Sequence, residues 1–177
     1  PHTLFAAQHL VQQIKKLRHR CQLVTKIEND DAIYIIYNPA VIRGKLPKKY
    51  IVYQTEIGTS RWFSPHYFRI IENALAVWDY SPVNVVRYRE HNKKITIVPP
   101  GINPQPVIDK DIAVLFYGYN PHGHRRSNIL SQIQRHVPVH IESNLMGEAM
   151  WKKLARAKVV VNIHFYDNSP FELFRVN

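Results

Sequence analysis

The sequence has a single cysteine, Cys21, so no disulfide framework is available within the chain and a reducing compartment is expected. No segment approaches the roughly 20 consecutive apolar residues of a membrane-spanning helix. Residues 1–3 lead directly into an amphipathic pattern, without the features of a signal peptide. These absences predict a cytoplasmic protein, and they leave association with a membrane surface or a virion open.

Acidic residues are also scarce, because 13 Asp and Glu stand against 24 Lys and Arg, giving a net charge of +11. Such a charge favours polyanionic partners such as phosphates, nucleic acids or acidic membranes. The basic residues occur, however, in short groups spread along the chain, as in LPKKY, HGHRR and WKKLARAK. Dispersed charge is more typical of a solvated surface. We therefore expect only weak, non-specific and salt-sensitive binding to nucleic acid.

Apolar stretches alternate with amphipathic ones along the chain, which predicts strands buried on both faces that alternate with helices. Such alternation is typical of right-handed crossovers and parallel sheets, and so of an α/β fold. The predicted strands cover residues 22–25, 32–37, 50–56, 76–81, 95–101, 112–118, 138–142 and 158–166. The predicted helices cover residues 3–18, a segment starting at 64, 81–88, 125–136, 147–157, and one that opens at 171–177.

Residues 99–109, PPGINPQPVID, contain four prolines and a glycine and are predicted to form a linker. The alternation of strands and helices restarts after them. The sequence thus predicts two Rossmann-like lobes with mainly parallel sheets, residues 1–100 and 101–177, the second of them incomplete. Because ligands bind outside the carboxyl ends of parallel strands, we expect the lobes to face each other across a cleft.

The turn FYGYNPHGHR, residues 116–125, follows the first strand of the second lobe and precedes a helix. Gly118 would let the backbone approach a ligand closely. The amino end of the helix, with Arg125 or Arg126, suits a phosphate group. The turn lacks both the GxGxxG and the Walker lysine motifs, so an ordinary strand–helix turn is an equal alternative.

A similar arrangement is predicted near the end of the sequence. Asp167, Asn168 and Ser169 follow an apolar strand, and Glu172 lies in the first turn of the next helix. The Glu172 carboxylate could accept hydrogen bonds from both hydroxyls of a ribose. The alternative is that it only complements the helix dipole.

In the first lobe, two strand ends carry candidate residues for the cleft. The segment QTEIGTSRW offers Glu56 as a base or acceptor-binding group, and Arg61 and Trp62 as a site for a phosphate or a sugar face. The segment VWDYSPVN adds Asp79 and Tyr80 on the same side. A surface loop in the first case, and a helix cap by the serine after Tyr80 in the second, are the alternatives.

Two patterns suggest a metal, but both are weak. The histidines are dispersed around a turn with no cysteine or carboxylate well placed beside them, whereas zinc needs three or four convergent ligands. The sequence Asp109-Lys110-Asp111 matches the DxD motif of some sugar transferases. In those enzymes the motif follows an apolar strand, whereas here it precedes one. We therefore predict no metal site. The histidines are His122, His124, His136 and His140.

Five stretches in order resemble nucleotide-sugar-dependent glycosyltransferases of the two-Rossmann GT-B fold, and among them the spore-maturation-like enzymes of bacteria, phages and viruses. The resemblance covers roughly residues 30–177. The stretches are YQTE with RWF, NALAVWDYSPVN, IVPPGI, VLFYG with the arginine pair, and VVVNIHFY with FELFRVN.

The resemblance implies a hexosyltransferase whose co-substrate is a nucleotide sugar and which needs no metal or other cofactor. Residues 1–100 would form the acceptor side and residues 101–177 the donor side. Gly118 and Arg125 or Arg126 would lie against the donor diphosphate, Asn168 and Ser169 would line the sugar phosphate, and Glu172 would hold the ribose. The acceptor, a glycan, lipid or protein, is left open, as are the donor sugar and the stereochemistry.

The resemblance is incomplete in one respect. Enzymes of this fold are considerably longer than 177 residues, and the second lobe stops inside a helix. One reading is a fragment of a longer enzyme. The alternative is a reduced homologue without catalysis, acting as a binding or structural subunit of a larger assembly that contains nucleic acid, which would suit the positive charge.

Overall fold

The computed structural model describes residues 3–28, 31–42, 44–92, 94–101, 108–167 and 169. These residues divide into two compact units, which we call the first unit (Thr3–Gly101) and the second unit (residues 108–167). Each unit contains one sheet, and every strand pair in the two sheets is parallel. The predicted α/β class with parallel sheets is therefore confirmed. The finer prediction of two Rossmann-like lobes stays a prediction.

The first unit is a four-stranded sheet whose strands follow one another in chain order, β1-β2-β3-β4. Because the order never reverses, the crossovers all run in one direction along the sheet. Because the strands are parallel, their carboxyl ends lie at the same end of the sheet. Gln54, the last residue of β2, is paired in register with Asp79, the last residue of β3. The elements are α1 (Leu4–Lys16), β1 (Tyr34–Tyr37), a 3₁₀ helix (Pro39–Val41), β2 (Tyr50–Gln54), α2 (Pro65–Glu72), β3 (Ala76–Asp79), α3 (Pro82–Val85) and β4 (Ile95–Ile97).

The core of the first unit lies between the sheet and α2. Val52 and Val77 on the central strands are fully buried against Ile71 of the helix. The start of α2 follows from its sequence, since Ser64 accepts a hydrogen bond from the backbone of Tyr67 as N-cap and a proline occupies the first helical position. Burial of apolar area at this contact stabilises the unit. It also holds in place the carboxyl ends of the strands, which carry the polar side chains.

The second unit is a three-stranded sheet with the order β6-β5-β7. The chain leaves β5 toward one side, forms β6, and returns across β5 to form β7. The direction of the strand order therefore reverses at β5, and ligands of α/β sheets bind at the carboxyl ends of strands beside such a reversal. The elements are β5 (Ile112–Tyr117), α4 (Arg125–Gln134), β6 (His140–Glu142), α5 (Gly147–Arg156) and β7 (Ala157–Val161).

Most of the predicted strands are present with shorter bounds, and the one predicted at residues 22–25 is absent. Leu23 and Val24 are largely exposed, because no strand among the described residues pairs with this segment. The strand predicted at 158–166 ends at Val161, whose register partner is Phe116 near the end of β5. The helix predicted at 171–177 lies outside the described residues.

Gly58 lies where the turn after β2 meets α3, and its backbone N–H donates to Asn84 Oδ1 at 2.7 Å. A Cβ atom at this position would lie 2.9 Å from that oxygen and 3.4 Å from the Asn84 backbone. Asn84 is fully buried and bonded to other groups, so it cannot move away freely. We expect Gly58→Ala to lower the free energy of unfolding by about 1–3 kcal/mol, measured by urea denaturation.

Gly44→Ala is the matched control, because a Cβ atom at Gly44 would meet no atom within 4 Å. That substitution should change the stability by less than about 0.5 kcal/mol. Equal stability of the two variants would show that the packing of Gly58 against Asn84 is not tight.

Candidate functional site

A buried polar cluster occupies the carboxyl edge of the first sheet, centred on Asp79 at the end of β3. Asp79 is fully buried. Its Oδ1 accepts from the backbone of Ser81 at 2.7 Å and from Asn84 Nδ2 at 3.1 Å, and its Oδ2 accepts from the Tyr88 hydroxyl at 2.5 Å. These donors compensate part of the cost of burying a carboxylate.

The same cluster ties down the turn that carries Glu56. Gln54 Oε1 accepts from the Tyr67 hydroxyl at 2.9 Å and from the backbone N–H of Glu56 at 3.0 Å. Asn84 Nδ2 donates to the Glu56 carbonyl at 3.0 Å. Asn84 therefore links the ends of β2 and β3, and the buried groups of the cluster largely satisfy one another.

The two carboxylates at this edge both have perturbed pKa values. Burial raises the pKa of Asp79 to about 6, although the hydrogen bonds from Tyr88, Ser81 and Asn84 act in the opposite direction. Burial also raises the pKa of Glu56, and a hydrogen bond with Ser60 opposes the increase. A carboxylate of raised pKa at a strand end is the kind of group that acts as a general base. Glu56 is the more accessible of the two.

The predicted acceptor-side residues differ in how accessible they are. Arg61 is exposed, and its guanidinium lies 5.5 Å from the centroid of the Trp62 ring. Trp62 is half-buried and packs on the core of the first unit. Tyr80 is buried, as is Asp79. Of these four side chains, Arg61 is the one that solvent reaches most freely.

In the second unit, Arg126 joins the turn after β5 to the segment after β7. The residue is only 2% exposed. Its Nε donates to the Ile163 carbonyl at 2.7 Å, and its Nη1 donates to the Tyr119 carbonyl at 2.9 Å. The guanidinium also lies over the rings of Phe116 and Phe165. Arg126 thus holds the segment after β7 against the turn after β5.

Arg125, its neighbour, lies on the solvent side of the same junction. Its Nη1 donates to the His164 carbonyl at 2.8 Å, and its Nε is 2.9 Å from Asp167 Oδ1. The Arg125 and Asp167 side chains are 41% and 78% exposed. An ion pair this exposed is worth little, so Arg125 can exchange it for an anionic ligand at small cost.

An aromatic cluster surrounds these arginines. His124 stacks on Phe165 with ring centroids 4.3 Å apart and an interplanar angle of 16°. Tyr119 contacts the same Phe165 ring at 6.0 Å and is 62% exposed. His124 is also the N-cap of α4, accepting from the backbone of Arg126 at 3.3 Å. The cluster offers a flat, partly exposed surface beside the helix amino end.

Two buried amide oxygens at this edge have no hydrogen-bond partner among the described residues, namely Asn120 Oδ1 and Asn162 Oδ1. Asn120 follows the end of β5 and Asn162 directly follows β7. A buried acceptor without a donor is costly, and such groups are often completed by ordered water. Because protein atoms cover both oxygens, a buried water is the group that suits them.

The structure brings together some of the predicted donor-side residues. Gly118 has a φ of 135°, which favours glycine, and its N–H donates to the Glu142 carbonyl. Arg125 and Arg126 adjoin the same turn, whereas Asn168 and Glu172 lie outside the described residues. Ser169 is described and partly buried. Asn120 lies in the predicted turn at 116–125 and is not among the residues predicted for the site. Its place just after a buried strand is the signal in the sequence that could have identified it.

Several classes of site are absent from the part of the chain that the structure describes. It has no group of three or more His, Cys, Asp or Glu side chains that could hold a metal ion. None of its helices is long and apolar enough to cross a membrane. Comparison of the chain with protein-family models, curated proteins and solved structures gives no match.

Proposed function

We propose that this chain takes part in the transfer of a sugar from a nucleotide-sugar donor, and that its second unit binds the nucleotide diphosphate. The observation that carries the proposal is the junction between the turn after β5 and the segment after β7. A glycine turn, an exposed arginine and an aromatic surface meet there. The resemblance in sequence motifs supports the same assignment.

The phosphate groups would lie at the amino end of α4. Peptide N–H groups and the helix dipole favour an anion at this position. Arg125 supplies the charge, exchanging Asp167 for the diphosphate. Arg126 has a different role in this proposal, because its guanidinium is buried and bonded to two backbone carbonyls. It positions the two segments that form the site.

The nucleoside would occupy the neighbouring surface. The exposed ring of Tyr119 offers a face for stacking. Glu172, the ribose-binding residue that the resemblance implies, lies outside the described residues, so its part in the proposal rests on the sequence alone.

In the first unit we assign Glu56 as the candidate general base. Burial raises its pKa and it is partly accessible, so it suits the deprotonation of an acceptor hydroxyl. The leaving diphosphate would be stabilised by the helix amino end and Arg125. The proposal therefore includes no metal. Arg61 is the exposed cation on the acceptor side.

The proposal is tested by titrating nucleoside diphosphates into the full chain. UDP, GDP and dTDP are each measured by calorimetry. Arg125→Gln should weaken the binding of the nucleotide that binds best by about ten- to a hundredfold, because one charge-assisted hydrogen bond is worth about 1.5–3 kcal/mol.

Arg135→Gln is the matched control, since Arg135 is exposed and lies at the opposite end of the same helix. Both variants lose one positive charge, so a general effect of charge would weaken binding equally in the two. The proposal fails if none of the three nucleotides binds, or if Arg125→Gln binds as tightly as the wild type.

A non-catalytic binding or structural subunit is the second candidate. The observation in its favour is that Asp79 and Tyr80, predicted at the acceptor side, are buried, with Asp79 bonded inside the polar cluster. Such a subunit would bind no nucleotide sugar and would have an extensive interface with a partner instead. The same calorimetric titration distinguishes the two candidates.

A further inference from the structure

A pocket lies near the amino ends of the strands of the first sheet. The carboxyl ends, where Glu56 lies, are at the opposite end of the sheet. Tyr50, the first residue of β2, lines it, and so does the last turn of α2. The pocket has a volume of about 440 Å³, which falls within the roughly 300–1,000 Å³ of small-molecule sites. None of the residues discussed for sugar transfer lines it.

The floor of the pocket is apolar and its rim is basic. Pro47, Tyr50 and Ile70 are buried at the floor. Lys48 and Arg69 are exposed at the rim, from the loop before β2 and from α2 respectively, and the half-buried His66 lies one turn before Arg69.

No acidic residue lines this pocket in the described ranges, and no carboxylate there pairs with Lys48 or Arg69. The adjacent Lys49, by contrast, pairs with Asp31 at 3.3 Å. The rim is thus a local excess of positive charge whose neighbours do not neutralise it. An anion is the ligand that such a rim favours.

The position of Arg69 near the end of α2 has another explanation, because a cation there complements the helix dipole. That explanation covers Arg69 but not Lys48, which lies on a different element. The last carbonyls of the helix are also already bonded. Asn73 Nδ2 donates to the Arg69 carbonyl at 2.7 Å, and the Tyr50 hydroxyl donates to the Ile70 carbonyl at 2.8 Å. Their repulsion of an anion is correspondingly weaker.

We propose that this pocket binds the phosphate group of a small organic phosphate, with Lys48 and Arg69 holding the phosphate and the apolar floor taking the organic part. This site lies in the first unit, whereas the nucleotide site is proposed in the second. Phosphate binding here would be an additional activity that sugar transfer does not require. The phosphate could belong to a soluble metabolite or to a lipid headgroup, and the experiment distinguishes these two sources.

The test is a titration of the full chain with phenyl phosphate, followed by amide NMR. Saturable shifts should appear at His66, Arg69 and Asn73. Inorganic phosphate should bind more weakly, since it cannot use the apolar floor. Lys48→Gln and Arg69→Gln should each weaken phenyl phosphate binding by about tenfold or more.

Lys94→Gln and Arg89→Gln are the matched controls, because both residues are exposed in the first unit and line no part of the pocket. The inference is overturned if phenyl phosphate shows no saturable binding, or if the controls weaken binding as much as the pocket variants. Nucleotide binding should be unchanged in Arg69→Gln, so failure here and failure of the sugar-transfer proposal are separable.

Co-sedimentation with vesicles identifies the source of the phosphate. Vesicles of phosphatidylcholine are compared with vesicles that also contain phosphatidic acid. Binding to the second kind that Arg69→Gln abolishes would assign the pocket to a lipid headgroup. Equal, weak binding by the wild type and the variant, together with saturable phenyl phosphate binding, would assign it to a soluble phosphate.

Discussion

Arg126→Leu is expected to lower the free energy of unfolding of the second unit by about 2–4 kcal/mol, because it leaves one buried and one partly buried carbonyl without a donor, and an unsatisfied buried acceptor costs about 1–3 kcal/mol. The carbonyls belong to Tyr119 and Ile163. Loss of the guanidinium over Phe116 and Phe165 adds to the effect. Urea denaturation of the full chain measures the total, and hydrogen exchange of β5 and β7 assigns it to this unit.

Arg125→Leu is the control, since it removes the same kind of side chain from the adjacent, exposed position. Its ion pair with Asp167 is exposed, so we expect a change of no more than about 1 kcal/mol. Arg126→Lys should fall between the two leucine variants, because an ammonium group reproduces the charge but not the planar fork. Similar stability of Arg125→Leu and Arg126→Leu would show that the buried guanidinium does not hold the two segments together.

The roles of the two arginines show where sequence reasoning stops. The motif HGHRRSN predicts a helix start with adjacent positive charge, and α4 does begin at Arg125. Consecutive residues on a helix point in directions about 100° apart, so one arginine can face solvent while the other faces the core. Which of them does so depends on how the helix packs on the sheet. The sequence therefore predicted a phosphate site for both arginines, and it could not distinguish the exposed Arg125 from the buried Arg126.

Local signals were the most reliable guide to the fold. Ser64-Pro65 marks the start of α2, and the apolar runs mark β2, β3 and β5 within a few residues. The strand prediction at residues 22–25 was wrong, because apolar composition alone does not supply a neighbouring strand. The same limit applies to the polar cluster. Gln54, Asp79 and Asn84 are distant in sequence, and the register of β2 and β3 brings them together.

Asp79 is expected to make the first unit more stable as the pH falls below neutrality. Its pKa in the folded chain is about 6, against an ordinary value of 3.8. A carboxyl group whose pKa is raised by folding stabilises the folded state fully below the unfolded value, and the contribution is lost as the pH rises through the folded value. The full contribution amounts to about 3 kcal/mol, and about 1–2 kcal/mol of it should appear between about pH 7.5 and pH 5.

Asp79→Asn isolates this contribution from the other titrating groups of the chain. The asparagine amide can keep the contacts with Ser81 and Asn84 through its oxygen and donate to the Tyr88 hydroxyl through its nitrogen. Urea denaturation of both proteins between about pH 4 and pH 8 gives two curves, and their difference reports Asp79 alone. Tyr88→Phe removes a hydrogen bond that lowers the pKa of Asp79, so its transition should move to higher pH. Parallel curves for the wild type and Asp79→Asn would mean that the donors around Asp79 fully compensate its burial and that folding does not raise its pKa.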